Sequence, residues 1–107
     1  MPWRKSLRIL REGVIDPNAD KRALAVRSLG LLPGNAEAER LAIVALTDEK
    51  STVRVAAASA LGSMHAEHST GNLEEALGDS EPSVVLAAAN SLLCFTMAWD
   101  MTRTTRS

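Results

Sequence analysis

Three aspartates stand at near-equal intervals in this 107-residue sequence, Asp16, Asp48 and Asp79. An arginine follows the first two after six residues, Arg22 and Arg54, and Val85 takes the matching place after Asp79. A carboxylate at a turn can accept N–H bonds from the start of the next helix, and an arginine on that helix can fork between carboxylates of successive units. Shared acid–base chemistry would need the carboxylates in contact, whereas equal spacing sets them about 10 Å apart, the usual separation of neighbouring helices. The spacing favours a structural over a catalytic use of Asp16, Asp48 and Asp79, and no catalytic residue is expected. His65 and His68, flanking Glu67, offer two ligands at i and i+3, but a stable metal site takes three or four and the sequence has no third histidine. A solvated loop after the fourth helix is expected there. Cys94 lies beside Leu92, Leu93 and Phe95 and reads as a buried, unreactive thiol. As the only cysteine it excludes an internal disulfide and fits the reducing cytoplasm. No glycine-rich phosphate loop, triad spacing or nucleophile elbow occurs, so neither metal nor cofactor is expected.

The elements that must position these residues are helices. Hydrophobic residues make up 46% of the chain and aromatics only 3%; alanine and leucine carry the apolar share, which favours helices over the aromatic and β-branched strands of a sandwich or barrel. The length suits one domain. No long apolar run follows the basic start, so neither a signal peptide nor a membrane span is expected. The chain repeats itself. Val53-Arg54-Val55-Ala56-Ala57-Ala58-Ser59-Ala60-Leu61 matches Val84 to Leu92 at an offset of 31 residues, and Arg27-Ser28-Leu29-Gly30 falls under Ser59-Ala60-Leu61-Gly62 at 32. Each unit reads as two helices. They are predicted near 4–15, 19–31, 37–47, 51–64, 70–77 and 82–97, with Asn18, Ser51 and Ser80 as N-caps, Pro82 in the first turn of the last, and Gly30 and Gly62 as left-handed helix ends. Val53, Ala57, Ala60, Leu61 and Met64 recur at helical spacing and predict one buried face.

Leu46-x-Asp48 followed by Val53-Arg54-x-Ala56-Ala57-x-x-Ala60-Leu61-Gly62, with copies at 77–92 and 14–30, resembles the HEAT repeat, and more narrowly the short HEAT-like repeats of phycobilisome lyases. The resemblance implies an all-α solenoid of three antiparallel helix pairs, about 4–31, 37–64 and 70–95, in which the Asp and Arg ladder is structural. It further implies a protein-binding scaffold without catalytic activity, which would use the concave face at Arg27, Ser59 and Asn90. An accessory subunit of a chromophore lyase and a nucleic-acid-binding module are the alternatives; iron-binding HEAT-like hydroxylases use His-Glu dipeptides, absent here.

Charge is uneven along the chain. Residues 1–35 carry +4 and residues 36–100 carry −7. Arg4, Arg8 and Arg11 share one face of the first helix; the acidic remainder weighs against nucleic acid and favours a solvated capping face. After Phe95 the pattern stops, so 96–107 reads as an atypical tail, either disordered or the place where a longer array was interrupted. Back-translating Thr96–Arg106 with CGN codons for both arginines and reading two bases later leaves an open frame, so a frameshift origin is one expectation for the tail. Without a lid, Leu73, Leu77, Leu86, Leu93 and Phe95 are expected to be exposed beside Glu74, Glu75, Asp79 and Glu81. Head-to-tail self-association with the basic first helix is expected to follow.

Overall fold

In the computed structural model the backbone is described over residues 2–106 and side chains over residues 4–95. Six α-helices follow one another: α1 (Pro2–Gly13), α2 (Ala19–Ser28), α3 (Ala36–Ala45), α4 (Ser51–Ser63), α5 (Thr70–Ala76) and α6 (Pro82–Arg106). Short 3₁₀ turns at Leu29–Leu31 and Glu67–Ser69 extend α2 and precede α5. Among the described residues there is no strand, and no helix is long and apolar enough to cross a membrane. The last helix continues through residues 96–106, the segment read from sequence as a tail.

Helix starts differ from expectation in a regular way. Asn18 caps α2, its side chain accepting from the Lys21 N–H, and Asn35 caps α3 through the Ala38 N–H. The cap of α4 is Lys50, not Ser51, and the Glu81 carbonyl accepts from Val84 and Val85, which places Glu81 rather than Ser80 before α6. The reason is the preceding aspartate. Asp16, Asp48 and Asp79 each accept the N–H two residues on, from Asn18, Lys50 and Glu81 at 2.8–2.9 Å, and this turn fixes where the next helix begins.

Helix ends also differ. Neither Gly30 nor Gly62 is left-handed; His65, at φ 55°, ends α4 instead. The Ala66 N–H reaches the Leu61 carbonyl and the His65 N–H the Gly62 carbonyl, a Schellman arrangement whose apolar contact is Ala66 with Leu61. The two glycines serve close approach. A Cβ on Gly30 would lie 3.0 Å from the Ser63 Cβ, and one on Gly62 would lie 2.8 Å from the Ser91 Cβ.

These glycines stand where second helices touch. α1 packs on α2, α3 on α4 and α5 on α6, while α2, α4 and α6 lie side by side with α4 in the middle; the first helices approach one another far less. Val53, Ala57, Ala60 and Leu61 of α4 and Met64 just after it are all buried, so the helical phase is the expected one. Leu7, Leu29, Leu61, Met64 and Leu73 form the largest cluster with small alanines between them, and Val26, Ala45, Val53, Ala56 and Ala57 form a second. Leu73 is wholly buried here, a correction to its expected exposure, while Leu77, Leu86 and Leu93 are exposed. The short α5 presses Leu73 inward against α6.

Candidate functional site

Arg22 and Arg54 are the fourth residues of α2 and α4. The aspartate turn fixes the start of each helix, so both guanidinium groups emerge at equivalent places. Arg22 donates from Nε and Nη2 to the two carboxylate oxygens of Asp48, each at 3.0 Å, and from Nη1 to the main-chain carbonyl of Asp16 at 3.0 Å. Arg54 repeats the arrangement one unit on, to Asp79 at 2.8 and 3.2 Å and to the Asp48 carbonyl at 2.8 Å. Sequence predicted a fork between two carboxylates. Each arginine instead holds one carboxylate, that of the following unit, and a carbonyl of its own, because the carboxylate of its own unit is turned toward the helix start.

These pairs are well shielded, with all four side chains 13–15% exposed. Burial pushes the Asp48 carboxyl up, but the Arg22 guanidinium and the Lys50 N–H outweigh it and hold the group below the ordinary carboxylate range. At Asp79 the Glu81 N–H and then Arg54 lower it, against the opposing effect of burial. Carboxylates so committed are poor proton donors at neutral pH, and their outer oxygens are already paired. These bonds tie each unit to the next.

Of the basic face of α1, Arg4 and Arg8 are exposed, but Arg11 forks onto Glu37 of α3 at 2.5 and 3.0 Å, so it is not a free member of that face. That pair is more open, at 51% and 29% exposure. Its hydrogen bond to Arg11 lowers the Glu37 carboxyl. The second helices present Arg27 and Asn90 exposed and Ser59 half-buried. Ser59, Gly62, His65, Asn90 and Cys94 line one shallow groove between α4 and α6; Arg27 is on α2 outside it. Cys94 is exposed, contrary to the buried thiol expected, since on α6 it lies toward the groove rather than against α5.

His68 meets Glu39 of α3 at 2.6 Å, and Ser69 donates to the same carboxylate oxygen. His65 is the helix-ending residue and Glu67 is exposed. Among the described residues no three His, Cys, Asp or Glu side chains are grouped to hold a metal. Three contributors escaped the sequence reading: Glu37, Glu39 and Ser91, whose Oγ donates to the Ala58 carbonyl at 2.7 Å beneath Gly62. Ser91 had a signal, standing where Ala60 stands one unit earlier; the glutamates had none beyond their charge.

A family described as HEAT repeats matches residues 7–94. No curated protein matches the chain at a significant level.

Proposed function

The chain belongs to the HEAT repeats family, and from that premise we propose that it is a cytoplasmic protein-binding scaffold. In this reading it is a solenoid of three helix pairs that binds a partner protein on the face of α2, α4 and α6 and catalyses nothing. The observation that carries the proposal is the row Arg27, Ser59 and Asn90, one residue at the equivalent place on each second helix and none of them buried. Rows of this kind on stacked repeats form extended binding surfaces. The close approach at Gly30 and Gly62, with the first helices held further apart, supports an array that curves toward its second helices. The commitment of Arg11 to Glu37 thins the basic stripe of α1 and favours a protein partner over nucleic acid. The exposed free thiol of Cys94 suits a reducing compartment. The finer likeness to phycobilisome lyase repeats, with an accessory-subunit role, rests on the repeat motif alone and is the second reading.

Affinity capture on the immobilised full chain tests it. Arg27→Glu combined with Ser59→Tyr and Asn90→Tyr should keep the helical circular dichroism and lose the proteins that the parent retains, while Arg4→Glu with Arg8→Glu should keep them. An unchanged set of captured proteins with the first variant overturns the reading.

A further inference from the structure

The two gaps between first helices are bridged differently. Between α1 and α3, Arg11 forks onto Glu37 across the gap. One unit on, the same places in the repeat are held by Ile43 and His68, which cannot form that pair. His68 turns instead to Glu39, a turn nearer the start of α3. Beyond that contact α3 and α5 part, leaving a groove of about 440 Å³ floored by Ile43, Val44, Leu46 and Ala76, with Asn72 and Glu75 of α5 as its polar wall. Val44 is 64% exposed within it. Among the described residues the Asn72 and Glu75 side chains make no hydrogen bond or ion pair, while Asp79 at the far end is spent on Arg54 and the Thr47 hydroxyl on the Val44 carbonyl. Every lining side chain lies within residues 4–95, and Arg40, a turn before Val44, does not line the groove.

The unspent groups decide what fits. An apolar floor takes an aliphatic side chain, and an asparagine amide, with both donor and acceptor, complements one peptide unit. A lone carboxylate takes a cation, and the −7 carried by residues 36–100 draws cations and repels phosphate-bearing chains. Both free polar groups lie on the α5 wall, so the occupant runs along α5.

We propose that the groove between α3 and α5 docks an extended segment of a partner protein in which an aliphatic residue stands beside an arginine or lysine. The aliphatic side chain covers Ile43 and Val44, the Asn72 amide pairs with the main chain of the segment, and Glu75 holds the cation. This surface is on the first helices and does not depend on the row Arg27, Ser59 and Asn90 of the second helices, so the two can fail separately.

Selection from a random-peptide library on the immobilised full chain tests it. Peptides that set an aliphatic residue beside an arginine or lysine should be enriched. A synthetic copy of an enriched peptide, followed by fluorescence anisotropy, should bind about ten-fold more weakly to Glu75→Gln, the scale of one charge-assisted bond, and to Val44→Asp. Both positions are exposed, so the variants should keep the circular dichroism of the parent. Selection on Glu75→Lys should exchange the basic residue of the enriched peptides for an acidic one. Arg27→Glu combined with Asn90→Tyr should bind the synthetic peptide as the parent does. No enrichment, enrichment without a basic residue, binding that persists unchanged in Glu75→Gln and Val44→Asp, or a parent chain that pairs with itself through Val44 overturns the proposal.

Discussion

The middle unit and the last share a sequence pattern at an offset of 31 residues, yet they are built differently. In the middle unit α4 is covered on both sides, and Val53, Ala56, Ala57, Ala58, Ala60, Leu61 and Gly62 are buried along 13 residues. In the last, among the described residues, α6 packs chiefly against α4 and α5; Val84, Ala88 and Ser91 are buried, while Leu86 and Leu93 are exposed. The same motif therefore yields a buried helix or a half-open one according to its neighbours. Small residues mark the difference: Gly62 admits α6, and Leu93 at the equivalent place meets solvent.

The largest effect should come from breaking the covered side. Leu61→Ala removes a wholly buried side chain from the main cluster and should cost about 2–5 kcal/mol in urea unfolding. Leu92→Ala, its half-buried counterpart in α6, should cost about 1 kcal/mol. Equal losses would erase the distinction between the units. Next is the junction itself. Gly62→Ala drives a methyl group into Ser91 and should destabilise by about 1–3 kcal/mol, whereas Leu93→Ala should change stability by less than about 0.5 kcal/mol.

The ladder gives smaller effects. Arg54→Ala strands the Asp79 carboxylate and the Asp48 carbonyl and should lower the unfolding midpoint by less than Leu61→Ala, while Arg40→Ala on exposed α3 surface should leave it near the parent value. Acid should act gently and in one direction. Glu37, Asp48 and Asp79 have lowered folded values, so their stabilisation is present above the unfolded carboxylate value near pH 4 and fades as pH falls through the lowered folded values. Urea midpoints should be level from about pH 7 to 5 and decline below about pH 4, and the decline should be shallower in a chain carrying Asp48→Asn and Asp79→Asn.

The buried phase of α4 and the recurrence of Asp with Arg are legible because both are spacings, and spacings survive folding. What a spacing does not carry is the direction of a side chain. The aspartate at each turn could have faced its own arginine or its own helix start; it does the latter, which moves the caps to Lys50 and Glu81 and hands each carboxylate to the preceding unit's arginine. A glycine after a leucine is equally two-valued. At Gly30 and Gly62 the gap admits a neighbouring helix, and the left-handed turn falls to His65, for which no sequence signal existed. Cys94 and Leu73 exchanged their expected exposures because the pattern of α6 and α5 does not say which side lacks a covering helix.

The central claim is that each arginine bonds the carboxylate of the next unit and not that of its own. A double-mutant cycle in urea unfolding tests it directly, with Arg54→Gln crossed against Asp79→Asn and separately against Asp48→Asn. The geometry predicts clear coupling in the first cycle and a markedly smaller one in the second, since Arg54 hydrogen-bonds Asp48 only through its main-chain carbonyl and acts on its carboxylate only through space. Equal coupling in both cycles, or coupling confined to Asp48, would contradict it.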